Sequence, residues 1–517
     1  MPHAATTVSV DPARRPEINI PKVDTVRPEV TAMLPKWEQM RDILQGEEAI
    51  KARTVKYLPM PDNEQDPEQN KKRYEAYVQR AVFVNFTERT LLGLQGQVFA
   101  QNPDLKLPKD LEGLLSDADG DGVGLIEQLE QSVGYLLAYG RAGLLTDYPT
   151  QDEPITKAQR DAGEVGPKLI LFSPFSIINW RHTFYKGRNR LSLVVLSEQY
   201  PLEGDGFELN YGQQWRVLRL EDADTPEPKY RIDIYRRVKR DNDPAAPTGA
   251  ENVGAGEIVL HDTIEPLDYN GNRLSYIPFE FIGSNNNNAS PDNPPLHSIG
   301  SVNLAHYRNS ADYEESCFIV GQPTVWVSGV DENYVKEAWG GKLYLGSRAI
   351  VTLPPEGSAG ILQAQPNSLP MEAMKDKREQ IVALGAKLAE PGKVQRTLGE
   401  ARLEEATQAS VLVNCVRNTQ SAYLKGLSYA IQFHGGSLED LKLVISTDFA
   451  ISRLEPNERQ VLINEWMAGA ITTNELRSQL RKAGIAYEPD DSKEIGVPRK
   501  GAEDPSQNTT QTKPKDE

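Results

Sequence analysis

The stretch LGAKLAEPGKVQRTLGEARLEEATQASVL, Leu384–Leu412, decides the fold. Before it, Met371–Ala389 reads as helix, and Glu390-Pro391-Gly392 interrupts it, because proline removes a backbone donor and glycine frees the chain. After it, Glu400–Phe433 reads as one helix about 50 Å long at 1.5 Å per residue, ended by Gly435-Gly436. A helix of that length points to a subunit interface or a scaffold role.

Working outward, Leu296–Val320 is a second long helix with a broadly polar surface, which predicts packing against neighbours rather than in one deep core. A strand, helix, strand unit follows it at Thr324–Val327, Glu332–Trp339 and Ala349–Leu353. The loop GSNNNNASPDNPP, Gly283–Pro295, has turn chemistry at nearly every position and is expected to mark a domain boundary. Upstream of it lie short Val-, Ile-, Leu- and aromatic-rich runs bounded by Gly, Pro and Asp: Ala142–Thr146, Leu169–Phe172, Leu193–Leu196, Trp215–Leu220, Arg231–Val238 and Glu257–Thr263. They predict a β-rich block, preceded by helices at Pro28–Leu44, at Lys71–Gln97 and from Gly124 to Tyr139, where Gly140 stops the last. Leu441–Ser446 reads as a strand that must pair with something earlier. Pro456–Ala468 and Thr472–Lys482 read as a helical pair, with Thr472 as N-cap and Glu475 at the capping-box position. The fold class is therefore α+β. Residues 1–25 read as a loose arm, and the tail from Pro489 is too polar to order itself.

The 517 residues include 57 Lys and Arg against 74 Asp and Glu, a formal net charge of -17, which excludes tight phosphate-driven DNA binding by the chain as a whole. An acidic wall is still suited to letting DNA slide past. The most apolar segment, Gly134–Tyr148, carries Arg141 and Asp147, so no membrane span is expected. The N-terminus has no apolar secretory core, and the chain is expected to stay in the compartment where it is made. Cys317 and Cys415 lack metal-ligand spacing and read as buried apolar residues of a reducing compartment.

Asp117-Ala-Asp119-Gly-Asp121-Gly122 begins like a calcium-binding loop, but the position that requires a bidentate Glu is Gln128. The alternative is an acidic loop that favours the N-terminus of the following helix. The histidines show no zinc pattern, no phosphate-binding GxxxxGK[ST] or nucleophile-elbow GxSxG occurs, and neither an enzyme nor a cofactor is expected. Lys393 and Arg396 lie in the break between the long helices, where an exposed cationic loop can touch a phosphate backbone or be a plain solvated turn. Trp37, Trp180, Trp215, Trp326, Trp339 and Trp466 sit among apolar neighbours and read as core or interface anchors.

The succession of elements is more specific than any motif. GYLLAYGRAGLLTDYP (Gly134–Pro149), SIINWR (Ser176–Arg181), YIPFEFIGSNN (Tyr276–Asn286), Pro294–Gly329 and Leu384–Leu412 together resemble the portal, or head-to-tail connector, proteins of tailed bacteriophages. The likeness covers most of residues 26–480. It implies a phage portal fold: a flexible arm 1–25, an α/β wing 26–293, stem helices 294–321 and 368–389, and a small clip 322–367. It further implies a tunnel loop 390–402, a long tunnel helix 403–436, a wing return strand 437–452, a helical crown 453–488 and a disordered tail 489–517.

The resemblance also implies a homo-oligomeric ring of about twelve copies at one capsid vertex, closed through heterologous interfaces. Such a ring is the conduit for double-stranded DNA during packaging and ejection, without sequence preference. Its partners are the terminase large subunit, a head-tail adaptor, and the major capsid and scaffold proteins; its place is the virion, after assembly in the host cytoplasm. In that setting Lys393 and Arg396 form a cationic ring at the constriction, and Trp326 and Trp339 mark the clip's docking surface. Two rival readings are a phage structural scaffold without a channel, and a metal-dependent hydrolase built on Asp117, Asp119 and Asp121.

Overall fold

The computed structural model describes residues 22–61, 67–148, 166–202, 207, 209–238, 257–268, 271–322, 324–342, 352–362, 367–385, 398–434, 436–447, 456–468, 470–472, 475–476 and 480, without the side chains of 324, 398–410, 434 and 456–458. The chain divides into two compact units, Met1–Thr447 and Asp448–Glu517. The α-helices in chain order are α1 (Pro28–Leu44), α2 (Glu47–Ala52), α3 (Pro67–Arg80), α4 (Phe86–Val98), α5 (Leu125–Tyr139), α6 (His297–Val320), α7 (Glu332–Trp339), α8 (Leu369–Ala383), α9 (Leu398–His434) and α10 (Pro456–Met467). The strands are β1 (Asp104–Lys106), β2 (Arg141–Asp147), β3 (Lys168–Phe172), β4 (Ile177–Tyr185), β5 (Arg188–Pro201), β6 (Tyr211–Glu221), β7 (Lys229–Val238), β8 (Glu257–Ile264), β9 (Phe279–Gly283), β10 (Thr324–Ser328), β11 (Ser358–Leu362) and β12 (Lys442–Val444). The class is α+β.

The helix expected over Lys71–Gln97 is two helices, α3 and α4, separated by an extended turn at 81–85. The cause is side-chain competition for backbone groups. Ser310 Oγ accepts from Val82 N and donates to Val82 O. Buried Asn303 donates from Nδ2 to Val84 O at 2.8 Å and accepts through Oδ1 from Thr87 N and Oγ1. Asn85 then caps α4 by accepting from Glu88 N. The polar residues of α6 are thus spent on a neighbour's backbone, which explains its weak amphipathicity.

A three-stranded antiparallel sheet has the order β3-β2-β9, and a five-stranded antiparallel meander has the order β4-β5-β6-β7-β8. The strands β4 and β9 lie in SIINWR and YIPFEFIGSNN, which carry too few residues of clean alternation to announce themselves. One apolar core joins Trp37 of α1, Leu145 of β2, Trp180 of β4, Phe281 of β9 and Phe433 of α9. A smaller core on the meander gathers Val23, Val195, Trp215, Val217 and Tyr235. Against the first core Arg141 is almost wholly buried, its guanidinium 4.2 Å from the Trp180 ring centre and 4.7 Å from that of Phe281. Burial, with Arg27 adding, pulls its pKa down to about 9, so it remains a cation at neutral pH held on ring faces.

The long helix α9 crosses the three-stranded sheet closely. A Cβ at Gly426 would stand 3.0 Å from Leu144 Cδ2 and 3.3 Å from both Leu169 Cδ2 and Thr146 Oγ1. Thr146 Oγ1 donates to Gly426 O at 3.0 Å, and Tyr423, Lys425 and Tyr429 reach Gln128, Glu280 and Glu280 respectively. Asn418 Nδ2 donates to Gly283 O and Asn287 Nδ2 donates to Asn418 O. The loop Gly283–Pro295 is therefore fastened to α9 inside the first unit and is not a linker; its asparagines are used as backbone ligands.

Other expectations resolve locally. The strand Leu441–Ser446 shortens to β12 and pairs antiparallel with β1, Leu443 opposite Leu105. The partner of β10 is β11, not Ala349–Leu353: residues 352 and 353 are not strand, and 349–351 lie outside the described residues. Helix α8 ends at Ala383, before Gly385 at φ 119°, and 386–390 lie outside the described residues. Cys415 is buried, but Cys317 is exposed, because α6 has left the core by that point. In the second unit, Glu475 N donates to Thr472 Oγ1 and Thr472 N to Glu475 Oε2, the expected capping box, while most of the helix it would open lies outside the described residues. The arm 1–21 and the tail 489–517 also lie outside them.

Two predictions follow from this packing. Gly426→Val forces a branched side chain between Leu144, Leu169 and Thr146 and should destabilise the fold by about 1–3 kcal/mol in urea unfolding. His306 stacks edge-on against Phe86 at 5.3 Å, and burial, with Lys377 and Arg378 adding, holds it below its ordinary 6.5; burial also lowers His182 and His297. The unfolded chain binds these protons first on acidification, so stability is fully present above pH 6.5 and declines as pH falls toward the folded-state values. His306→Gln should make that decline in the urea midpoint shallower, and an identical profile would contradict the assignment.

Candidate functional site

The acidic loop Asp117–Gly122 turns its carboxylates onto itself. Asp117 Oδ1 accepts from Gly120 N at 2.7 Å and Gly122 N at 3.1 Å, and Asp119 Oδ1 accepts from Asp121 N and Val123 N. Asp117 Oδ2 pairs with Lys168 Nζ at 2.6 Å, and the bond from Lys168, helped by the Gly122 and Gly120 amides, holds the carboxyl below the usual carboxylate range. Gln128, at the place a calcium loop needs glutamate, is buried; its Nε2 donates to Leu169 O at 2.7 Å and its Oε1 accepts from Tyr423 OH. Among the described residues no three His, Cys, Asp or Glu side chains converge as metal ligands. The loop is a staple between β3 and the start of α5, and Gln128 of α5 carries the tie to α9.

The unit of β10, α7 and β11 lies between α6 and α8 in the chain. Helix α6 is buried over its first half, where Ile299, Leu304, Tyr307 and Ala311 face the core. Its second half is not. Among the described residues between Ala311 and Ile381, none is buried. Strands β10 and β11 pair there with Trp326 opposite Gly360, and a Cβ at Gly360 would stand 3.0 Å from the indole, so the glycine makes room for the ring. Asp331 caps α7 by accepting from Tyr334 N at 2.8 Å, and Gly340 ends it at φ 60°.

The two tryptophans singled out by sequence differ in role. Trp339 Nε1 donates to Thr352 O at 3.1 Å and its ring meets Tyr334 edge-on at 5.9 Å, so it ties the unit together. Trp326 is 44% exposed. The sequence reading missed Leu362 of β11, 68% exposed on the same face as Trp326, Ile361, 65% exposed on the other face, and exposed Phe318, Ile319 and Leu369 at the helix ends. The signal was present: adjacent apolar residues such as Ile361-Leu362 point to opposite faces of a strand, and a two-stranded sheet with neither face buried exposes both. Lys393 and Arg396 lie outside the described residues, between Gly385 and Leu398.

A family model described as a domain of unknown function, DUF4055, matches residues 295–434, the stretch from α6 through α9. No curated protein matches the chain. Among solved structures the chain is similar to one from the virion of the native gene transfer agent (GTA) particle, at 13% identity and TM-score 0.42, over 83% of this chain and 98% of that one. It is similar also to chains from the neck of the empty GTA particle computed with C6 symmetry (12% identity, TM-score 0.37) and of the native particle computed with C12 symmetry (12%, 0.36); each covers 77% of this chain and 89% of the other.

Because Asp117 is already neutralised by Lys168 and its own loop, millimolar calcium should leave the melting temperature unchanged, whereas Lys168→Ala should lower it. A calcium-dependent rise would restore the metal-loop reading.

Proposed function

We propose that the chain is a portal subunit: one copy in a closed ring of about twelve at a capsid vertex, through which double-stranded DNA enters and leaves. The observation that carries the proposal is the span from Ala311 to Ile381, in which no described residue is buried although it includes a sheet and three helical segments. A segment that fully buries none of its described side chains gains little to offset the entropy of ordering it, and neighbouring copies in a ring would supply the missing burial. The resemblance in Pro294–Gly329 and Leu384–Leu412 names the kind of assembly in which such a segment becomes a stem and clip.

The parts then take their roles. Residues 26–293 with the returning strand form the wing, α6 and α8 the stem, 322–367 the clip and 453–488 the crown; α9 is the tunnel helix, and because it already begins at Leu398 the tunnel loop expected over 390–402 is confined to the residues before it. Trp326 and Leu362, which share one face of the β10–β11 pair, offer the apolar surface on which the terminase large subunit and later a head-tail adaptor dock. The charge of -17 per copy gives the ring a strongly negative field, which keeps passing DNA from sticking. Against it Lys393 and Arg396 form a narrow cationic collar that touches phosphates. Chemistry on a substrate has no place in this reading, since the acidic loop is spent on structure.

The test is DNA packaging into heads assembled with the Lys393→Ala, Arg396→Ala double variant and, separately, without the chain. The collar predicts reduced retention of full-length DNA in the double variant, and the portal reading predicts empty heads without the chain. Normal retention in the first case overturns the collar; filled heads in the second overturn the portal.

A further inference from the structure

A groove of about 550 Å³ lies on the face of the meander that carries the smaller core, away from the clip and from α9. Strand register builds its basic wall. Arg181 of β4 stands opposite Leu193 of β5, Leu193 opposite Arg219 of β6, and Arg219 opposite Arg231 of β7. One cross-strand row therefore carries three arginines on one face, and Lys22 closes the groove from the segment before α1.

The acids on this face are already taken at one end of the row. Buried Asp233 accepts from Arg231 and lies 3.7 Å from Arg219 Nε, and Glu221 pairs with Arg231 and Arg273. Asp24, next in sequence to the groove's Val23, is turned to Arg237. At the other end, Arg181 and Lys22 have no ion-pair partner among the described residues, and no Asp or Glu lines the groove. Asn179 and Thr183, on the same strand and lining the same groove, add an amide and a hydroxyl. On a chain of net charge -17, a concave site with two free cations, neutral donors and no carboxylate is selective for one chemistry.

We infer that this groove binds a phosphate group, either free phosphate or the phosphodiester of DNA, with Arg181 as the principal ligand and Lys22, Arg219, Asn179 and Thr183 around it. Arg181 supplies a planar fork that matches two phosphate oxygens, and Lys22 supplies a point charge. The inference stands on the sheet's own geometry and does not depend on ring formation.

The experiment is calorimetric titration of the full chain at low salt with sodium phosphate and, separately, with a short DNA duplex. At least one titrant binds, and Arg181→Ala weakens it about tenfold or more, as expected for loss of a charge-assisted contact. Lys22→Ala weakens it less, and Lys71→Ala, on the exposed side of α3, leaves it unchanged. Binding of phosphate alone identifies a small oxyanion as the ligand, and binding of the duplex alone identifies a phosphodiester. Absence of binding to both, or binding that Arg181→Ala leaves intact, overturns the inference. Arg181 is exposed and its removal empties no core, so loss of binding is not loss of fold.

Discussion

The close crossing of α9 over β2 and β3 at Gly426 sets where everything else in the first unit can lie. With no Cβ between them, helix and sheet approach until Thr146 bonds the helix backbone and Leu144 and Leu169 fill the space beside it. That contact holds the lower part of a helix about 55 Å long at 1.5 Å per residue. From this anchor Tyr423 reaches Gln128, and so the acidic loop, and Asn418 reaches Gly283, and so the asparagine loop that leads into α6. The two long helices are thereby positioned from one place, although more than a hundred residues separate their starts, His297 and Leu398.

The same arrangement explains why the upper parts are bare. Helix α6 is bound through Asn303 and Ser310 to the turn between α3 and α4, and past Ala311, where full burial ends, Asp312 and Glu315 still hold it to Tyr77 and Arg80 of α3. Beyond these contacts lie exposed Ile319 near the end of α6 and a small sheet whose Trp326, Ile361 and Leu362 are exposed. Such surface on one chain is a liability in isolation and an asset in an assembly. An acidic chain repels its copies at long range, so the apolar contact has to be large and specific to win.

Much of this was legible in the residues. The long helix α9 and the short helix α7, bounded by Asp331 and Gly340, follow from local chemistry that tertiary context had no reason to override, while the expected break at Glu390-Pro391-Gly392 lies outside the described residues. The missed features share a cause: they depend on partners distant in sequence. Val82 and Val84 look helical until Ser310 and Asn303 claim their backbone groups. The asparagine loop looks like a linker until Asn287 and Asn418 exchange bonds with it and α9. The tie between the Trp339 indole and Thr352 O likewise joins residues that the sequence does not show to be neighbours. The arginine row of the meander is invisible in sequence because its members lie on three strands and meet only through register.

The central claim is that the uncovered span from Ala311 to Ile381 is covered by copies of the same chain arranged in a closed ring. It is tested most directly by the mass and symmetry of the purified full chain, from light scattering followed by class averages of negatively stained particles. The account predicts rings of about twelve subunits around a central hole. A monomer or dimer that persists when scaffold protein is added would contradict it.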